Sequence, residues 1–298
     1  MTQTIAFVGL GAMGAAMAEN LIKRQFRVTG FDMRAEAVAR LVSVGGHGAA
    51  SAVAATQGAD ALVLMVVNAD QADAVLFGAD KMPGALEALK PDATVIVMAT
   101  CAPARIAAMA ARVEATGRAF VDAPVSGGVV GATGGTLTIM AAANQAVFDR
   151  AKPLLTAMGS NLFHLGETAG QGAAMKTVNQ LLAGIHIAAA AEGLALAEKE
   201  GIDPAMALKI LTSGAASSWM LNNRGPRMVK DDGQVTSAVD IFVKDLGLVL
   251  DAGRAAKMGL PLAAAAHQQF LAASGLGVGA KDDSQVIETY RALRKRPD

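Results

Sequence analysis

The chain has 298 residues, 53% of them hydrophobic and 17% charged, which is enough apolar material for two packed domains and excludes a disordered chain. Lysine plus arginine and aspartate plus glutamate number 26 each, so no net field draws the chain to nucleic acid or anionic lipid, and 4% aromatics leave bases little to stack on. The single cysteine, Cys101, forms no internal disulfide and fits a reducing cytoplasm.

No uninterrupted run of about 18 apolar residues marks a membrane span; the longest candidate, from Leu181 onward, is broken by His186 and Glu192. After Met-Thr-Gln the chain enters a strand pattern, with no secretory leader. The cation-rich tail from Arg291 to Arg296 reads as a solvated helix end.

The first predicted strand, Ile5–Val8, runs into Gly9-Leu-Gly-Ala-Met-Gly14, which opens an Ala-rich helix. GxGxxG is weak evidence in a chain with 32 glycines, but strand–glycines–helix is the context in which it cradles a dinucleotide. The first glycine permits the tight turn, the second lets a pyrophosphate reach the backbone, and the third lets helix and strand pack closely. Gly9, Leu10, Gly11, Ala12, Met13 and Gly14 are therefore cofactor-binding candidates, with the positive end of the helix facing the phosphates. Asp32 ends the second strand, Val28–Phe31, where a carboxylate accepts hydrogen bonds from an adenosine ribose and repels a 2′-phosphate. This favours NAD; Arg34 keeps NADP open, because an arginine there pairs with that phosphate.

Leu62–Val67, Thr94–Val97 and Ala119–Val121 continue the strand series, apolar on both faces as in a parallel sheet covered by helices on each side. Gly135–Met140 and Asn161–His164 add two more. The alternation predicts a doubly wound α/β sheet, the Rossmann arrangement, over residues 1–164. Asn68 and Thr100 fall at carboxyl ends of strands and are either cofactor neighbours or turn residues. In Asp122-Ala-Pro-Val-Ser-Gly-Gly128, Ser126 offers a hydroxyl, while Gly127 and Gly128 free backbone N–H groups to curl around a carboxylate.

Beyond residue 164 strands cease, and 165–298 reads as an all-α domain. A long helix is predicted over Met175–Gly201, with Asp203-Pro204 starting the next and Pro226 and Pro261 marking interruptions. In its apolar run Lys176 is followed at helical spacing by Asn179 and Gln180, so the three share a face able to hold a polar small molecule.

GLGAMG, DAPVSGG and the GxGxxxKxxN stretch from Gly170 together resemble the β-hydroxyacid dehydrogenase family, the 3-hydroxyisobutyrate dehydrogenase-like enzymes, over essentially the whole chain. The resemblance implies an NAD(P)-dependent hydroxyacid dehydrogenase with Lys176 as catalytic acid/base. It further implies Asn179, Ser126, Gly127 and Gly128 at the substrate, Lys244 beside the cofactor, and association through the all-α domains into a homodimer or homotetramer. Where the family carries two asparagines after the lysine, this chain has Asn179 and Gln180, which reshapes the pocket. Stretches 181–192, 217–224, 237–251 and 282–287 look like the branch that acts on four-carbon sugar acids such as L-threonate; 3-hydroxyisobutyrate, tartronate semialdehyde and 4-hydroxybutyrate are the alternatives. Gln180 and Arg224, with Asn222 and Asn223, are candidates for the remaining sugar hydroxyls.

An alcohol that gives up hydride must also lose its proton, and an amine among apolar residues is suited to take it. The histidines lack metal-ligand spacing, so no metal is expected, and Cys101 has no partner that would make it a nucleophile. A non-catalytic dinucleotide sensor would need only the glycine loop and Asp32, leaving the serine–glycine loop and the lysine face without a task.

Overall fold

In the computed structural model, which describes residues 3–79 and 82–292, the chain forms two compact units, Met1–Lys176 and Thr177–Asp298. The strands of the first unit are β1 (Thr4–Val8), β2 (Arg27–Phe31), β3 (His47–Gly48), β4 (Ala61–Leu64), β5 (Gly78–Ala79), β6 (Met82–Pro83), β7 (Thr94–Val97), β8 (Ala119–Asp122), β9 (Val125–Ser126), β10 (Thr138–Ala142) and β11 (Asn161–Gly166). Between them run α1 (Ala12–Lys23), α2 (Ala35–Ser43), α3 (Ala52–Thr56), α4 (Ala69–Phe77), α5 (Pro103–Glu114), α6 (Gly128–Gly134) and α7 (Gln145–Met158).

The main sheet has the order β11-β10-β8-β7-β4-β1-β2-β3 and is parallel from β8 to β3; β10 meets β8 and the short β9 in antiparallel fashion, and β5 pairs with β6 in a separate two-stranded sheet. From β1 the chain first builds outward through β2 and β3, then crosses to β4 on β1's other side. That reversal opens a crevice at the carboxyl ends of β1 and β4, the place where such sheets bind ligands. Along β1, Ile5 and Phe7 enter one apolar core while Ala6 and Val8 enter the other, and β4 alternates likewise. Helices α1 and α7 line the first core, α4 and α5 the second. Strands so placed need apolar residues on both faces, which is why they read as continuous apolar runs.

Two strand boundaries lie three residues from the sequence reading. β4 stops at Leu64: the Met65 N–H still reaches the Val8 carbonyl, but its own carbonyl lies against Gly9 and the Val67 N–H is taken by the Gln71 side chain at 2.9 Å. β10 begins only at Thr138, because α6 occupies residues 128–134 and ends on left-handed Gly135. The two-residue strands β3, β5, β6 and β9 are too short to leave any periodicity.

The long helix α8 (Gln171–Lys199) begins four residues earlier than its apolar pattern suggested. The units divide between Lys176 and Thr177, later than the 164/165 boundary read from the sequence. The first turn of α8 is hydrogen-bonded to the end of β8, and so belongs to the sheet. Helix α8 has a mean hydropathy of 1.4 over its best 18 residues and is by length and composition able to cross a membrane, yet 56% of that stretch is buried within the protein, as in a core helix.

The second unit continues α8 with α9 (Pro204–Ser213), α10 (Trp219–Val229), α11 (Val239–Ala255), α12 (Pro261–Ala273) and α13 (Glu288–Ala292). Asp203 caps α9 by accepting the Met206 N–H at 3.0 Å, with Pro204 in the first turn as read. Pro261 likewise opens α12, but Pro226 lies inside α10, where an interruption was expected. The residue before it is Gly225, which has no Cβ to clash with the proline ring, and any Cβ there would strike Leu208. Phe242 and Phe270 stack at 5.1 Å in this unit's core. Arg291 pairs with Glu198 and Glu288, so the start of the basic tail is anchored; Leu293 onward lies outside the described residues.

Candidate active site

At the mouth of the sheet, Gly9 holds φ +96, and a Cβ there would collide with the Met65 carbonyl. A Cβ on Gly14 would strike the Gly9 carbonyl in turn. Gly11 differs: its Cβ would find only the Arg34 guanidinium, at 3.8 Å. Two glycines are thus demanded by packing, and the third leaves space over the start of α1, whose first turn no side chain caps. Uncapped N–H groups beneath open space at a helix amino end suit a phosphate. Leu10 donates its backbone N–H to the Asp32 carboxylate at 2.8 Å, tying the glycine loop to the end of β2.

Arg34 also reaches Asp32, through its backbone N–H at 2.9 Å and its side-chain Nε at 3.0 Å. Partial burial disfavours the charged carboxylate, but the Arg34 hydrogen bonds outweigh it and hold the Asp32 carboxyl below its usual range. At the next strand end Asn68 caps α4, its Oδ1 accepting the Gln71 N–H at 2.9 Å. Thr100 sits in the loop between β7 and α5, at the same edge of the sheet.

Beyond β8, Ser126 lies in β9, opposite Thr138 of β10, and is part of a strand where a free loop was expected. Gly127 and Gly128 follow at φ +128 and +59, conformations that side-chain-bearing residues adopt only at a cost. Lys176 stands in the second turn of α8 and is buried, with 7% of its surface exposed. A surface lysine whose amine simply reaches water would expose far more.

In the second unit, Asn179 donates to the Gln180 side chain at 2.9 Å, and Gln180 donates to the Asp245 carboxylate. The other oxygen of Asp245 lies 2.7 Å from the Lys244 amine. Asn179, Gln180 and Lys244 are therefore members of one network around a carboxylate that is 2% exposed. The sequence reading passed over Asp245, although an acid in the apolar face of a helix is the same signal that singled out Lys176.

Arg224 requires a correction. Instead of facing a ligand it is buried and grips Asp283 with two parallel bonds of 2.8 and 2.9 Å, its third nitrogen donating to Asn223. Asn222 turns to Ser217 and the Ser218 carbonyl. The physical reason is that Asp283, fully buried, needs a partner of matching geometry, and 59 residues of chain hid that partner from a local reading. Among the described residues no group of three or more His, Cys, Asp or Glu is placed to hold a metal.

A parallel sheet with a glycine cradle at its switch point, an acid at the end of its second strand and a buried lysine are the features of a nicotinamide-dependent oxidoreductase. Residues 4–166 match the family model described as the NAD binding domain of 6-phosphogluconate dehydrogenase, and residues 170–290 match the one described as NAD-binding of NADP-dependent 3-hydroxyisobutyrate dehydrogenase. The chain is 43% identical to an L-threonate dehydrogenase of Cupriavidus necator, over 98% of each chain. A crystal structure of 3-hydroxyisobutyrate dehydrogenase from Salmonella typhimurium superposes with a TM-score of 0.91 at 42% identity, covering 96% of this chain and 99% of that one. The Mycobacterium tuberculosis 3-hydroxyisobutyrate dehydrogenase with L-serine gives 0.82 at 30% identity, over 98% and 100%.

The chain belongs to the β-hydroxyacid (3-hydroxyisobutyrate-type) dehydrogenase family. It is an NAD(P)-dependent oxidoreductase acting on the alcohol of a hydroxy acid.

Proposed function

We propose that the protein oxidises L-threonate or a similar four-carbon sugar acid with NAD, using Lys176 as the acid/base. The observation that carries the catalytic part is the buried lysine in the second turn of α8. The substrate is supported by likeness to L-threonate dehydrogenases at 39–43% identity over nearly the whole chain. Gly9 to Gly14 and Asp32 would hold the pyrophosphate and ribose of the dinucleotide, which when bound would supply the acceptor for the hydride of the carbinol carbon. Lys176 takes the hydroxyl proton as the carbonyl forms, and returns it in the reverse direction. Ser126 and the N–H groups of Gly127 and Gly128 hold the carboxylate, so that the reacting carbon is fixed before the proton moves. By the family resemblance Asn179 holds the amine and the hydroxyl in register, Gln180 is the candidate for a further hydroxyl and Lys244 lies on the cofactor's side; Gln180 and Lys244 are both paired with Asp245.

A spectrophotometric panel of NAD and NADP against L-threonate, D-glycerate, 3-hydroxyisobutyrate and 4-hydroxybutyrate tests the substrate. L-Threonate should give the highest kcat/KM, and a preference for a compound with no further hydroxyls would overturn it. Lys176→Ala should lower kcat by about 10²–10⁴-fold while NADH still binds; activity within about tenfold of wild type would remove the acid/base role.

The same reading includes a homodimer or homotetramer, and a cytoplasmic setting in which the buried Cys101 stays reduced. The helical unit leaves Leu196, Met206, Ile210 and Trp219 more than half exposed, an apolar surface that association would cover.

A further inference from the structure

The first turn of α8 takes its acceptor from far away in sequence. Helices are ordinarily capped by a residue just before them; here the acceptor is Asp122, the last residue of β8. Its Oδ2 accepts the backbone N–H groups of Gly170 and Ala173, both at 2.9 Å. The side chain is almost wholly buried, at 1% exposed.

Two close approaches keep that turn seated. Gly170, at φ +103, leaves room for a Cβ only 3.0 Å from the Pro103 carbonyl, at the root of α5. A Cβ on Gly172 would strike the Met140 carbonyl of β10 and come within 3.0 Å of the Asp122 carboxyl carbon. The spacing of the glycines before Lys176 thus records contact with the sheet. Lys176 follows Ala173 by three residues and Gly172 by four, so it lies one turn above the bonded groups. A slip of the helix by one residue would swing its side chain by about 100°. Asp122 also opens the segment that leads, four residues on, to Ser126.

We propose that Asp122 is the positioning residue of the reaction: by holding the first turn of α8 against the end of β8, it sets the Lys176 amine relative to the Ser126–Gly128 loop. The inference rests on the assignment of Lys176 as acid/base. Asp122 touches neither substrate nor cofactor and acts only through the helix. Both of the bonds from Gly170 and Ala173 fall on one oxygen, Oδ2, and the Gly172 N–H is the remaining backbone donor that faces the carboxylate. An amide oxygen in the same place should therefore serve as well as a carboxylate.

The experiment compares Asp122→Ala, Asp122→Asn, Lys176→Ala and the Asp122→Ala/Lys176→Ala double variant with the full-length enzyme, reading kcat, the KM for NAD and circular dichroism. Asp122→Ala should lower kcat by about 10- to 100-fold with the KM for NAD within about twofold, the size of effect that misplacing a catalytic group produces. Asp122→Asn should retain kcat within about threefold. The double variant should be no slower than Lys176→Ala alone, because a residue that acts through Lys176 has nothing to position once the amine is gone.

If Lys176→Ala is inactive but Asp122→Ala keeps kcat within about threefold, or the two losses multiply, the positioning role is overturned while the acid/base assignment stands. If Lys176→Ala stays active within about tenfold, both fall. Should Asp122→Ala yield no folded protein, Asp122→Glu, which displaces the same carboxylate by one methylene, takes its place with the same expected fall in kcat; an unchanged kcat there overturns the proposal.

Discussion

At the residue scale, the Asp32–Arg34 pair is expected to govern which dinucleotide enters. With Asp32 present, the Arg34 guanidinium is held on the carboxylate at 3.0 and 3.3 Å, and a 2′-phosphate would meet the acid's charge. Removing the carboxylate frees a cation that is already in place. Asp32→Ala is therefore expected to raise the ratio of kcat/KM for NADP to that for NAD by at least about tenfold, since 1.4 kcal/mol of changed electrostatics suffices. Initial rates with the two cofactors check this; an unchanged ratio would mean that ribose discrimination lies elsewhere.

Asp122 gives a second effect at this scale, on stability. Burial pushes its carboxyl up to about 6, against partial relief from the N–H groups of Ala173, Gly170 and Gly172. A raised carboxyl binds its proton more tightly in the folded than in the unfolded chain, so between pH 4 and pH 6 this group makes stability fall as pH rises. The cost above pH 6 is about 3 kcal/mol for a shift of about two units. Asp32, Asp60 and Asp282 are shifted the other way and add stability as pH rises, so the wild-type curve is a sum of opposed slopes. Urea titrations at pH 4.5 and 7 should show Asp122→Asn gaining stability over wild type at the higher pH; a constant difference would contradict the sign.

At the scale of elements, α10 and the turn at Asp283–Ile287 are held together by the Arg224–Asp283 pair. A buried pair adds little over apolar replacements, but breaking one leaves an uncompensated charge. Arg224→Met should thus destabilise the protein by about 3–5 kcal/mol, seen as a lowered denaturation midpoint, whereas a substrate ligand would change KM and spare stability. A raised KM at unchanged midpoint would return Arg224 to the substrate list. The glycine cradle is argued in the same way: Gly14→Ala places a methyl against the Gly9 carbonyl, so NADH binding, followed by fluorescence, should weaken by at least tenfold, as a loss of about 1.4 kcal/mol or more.

Across the whole molecule, the exposed apolar residues of the helical unit, Leu196, Ile210 and Trp219 among them, bear on assembly. Light scattering at micromolar concentration should give a mass of at least two chains; a monomer would contradict the oligomer.

The sequence by itself determined the features that depend on near neighbours. The glycine spacing after β1, the apolar runs of β4 and β7 and the Asp203-Pro204 helix start are all set within a few residues, so their physics is written locally. So is Lys176, conspicuous because a charge in an apolar helix needs a reason. Only the tertiary structure decided what Asp122, Asp245 and Arg224 do. Asp122 meets Gly170 across 48 residues, Gln180 meets Asp245 across 65 and Arg224 meets Asp283 across 59. Partners at such separations leave no periodicity in the chain, because what selects them is the need of a buried polar group for a matching one, and folding alone brings the two together.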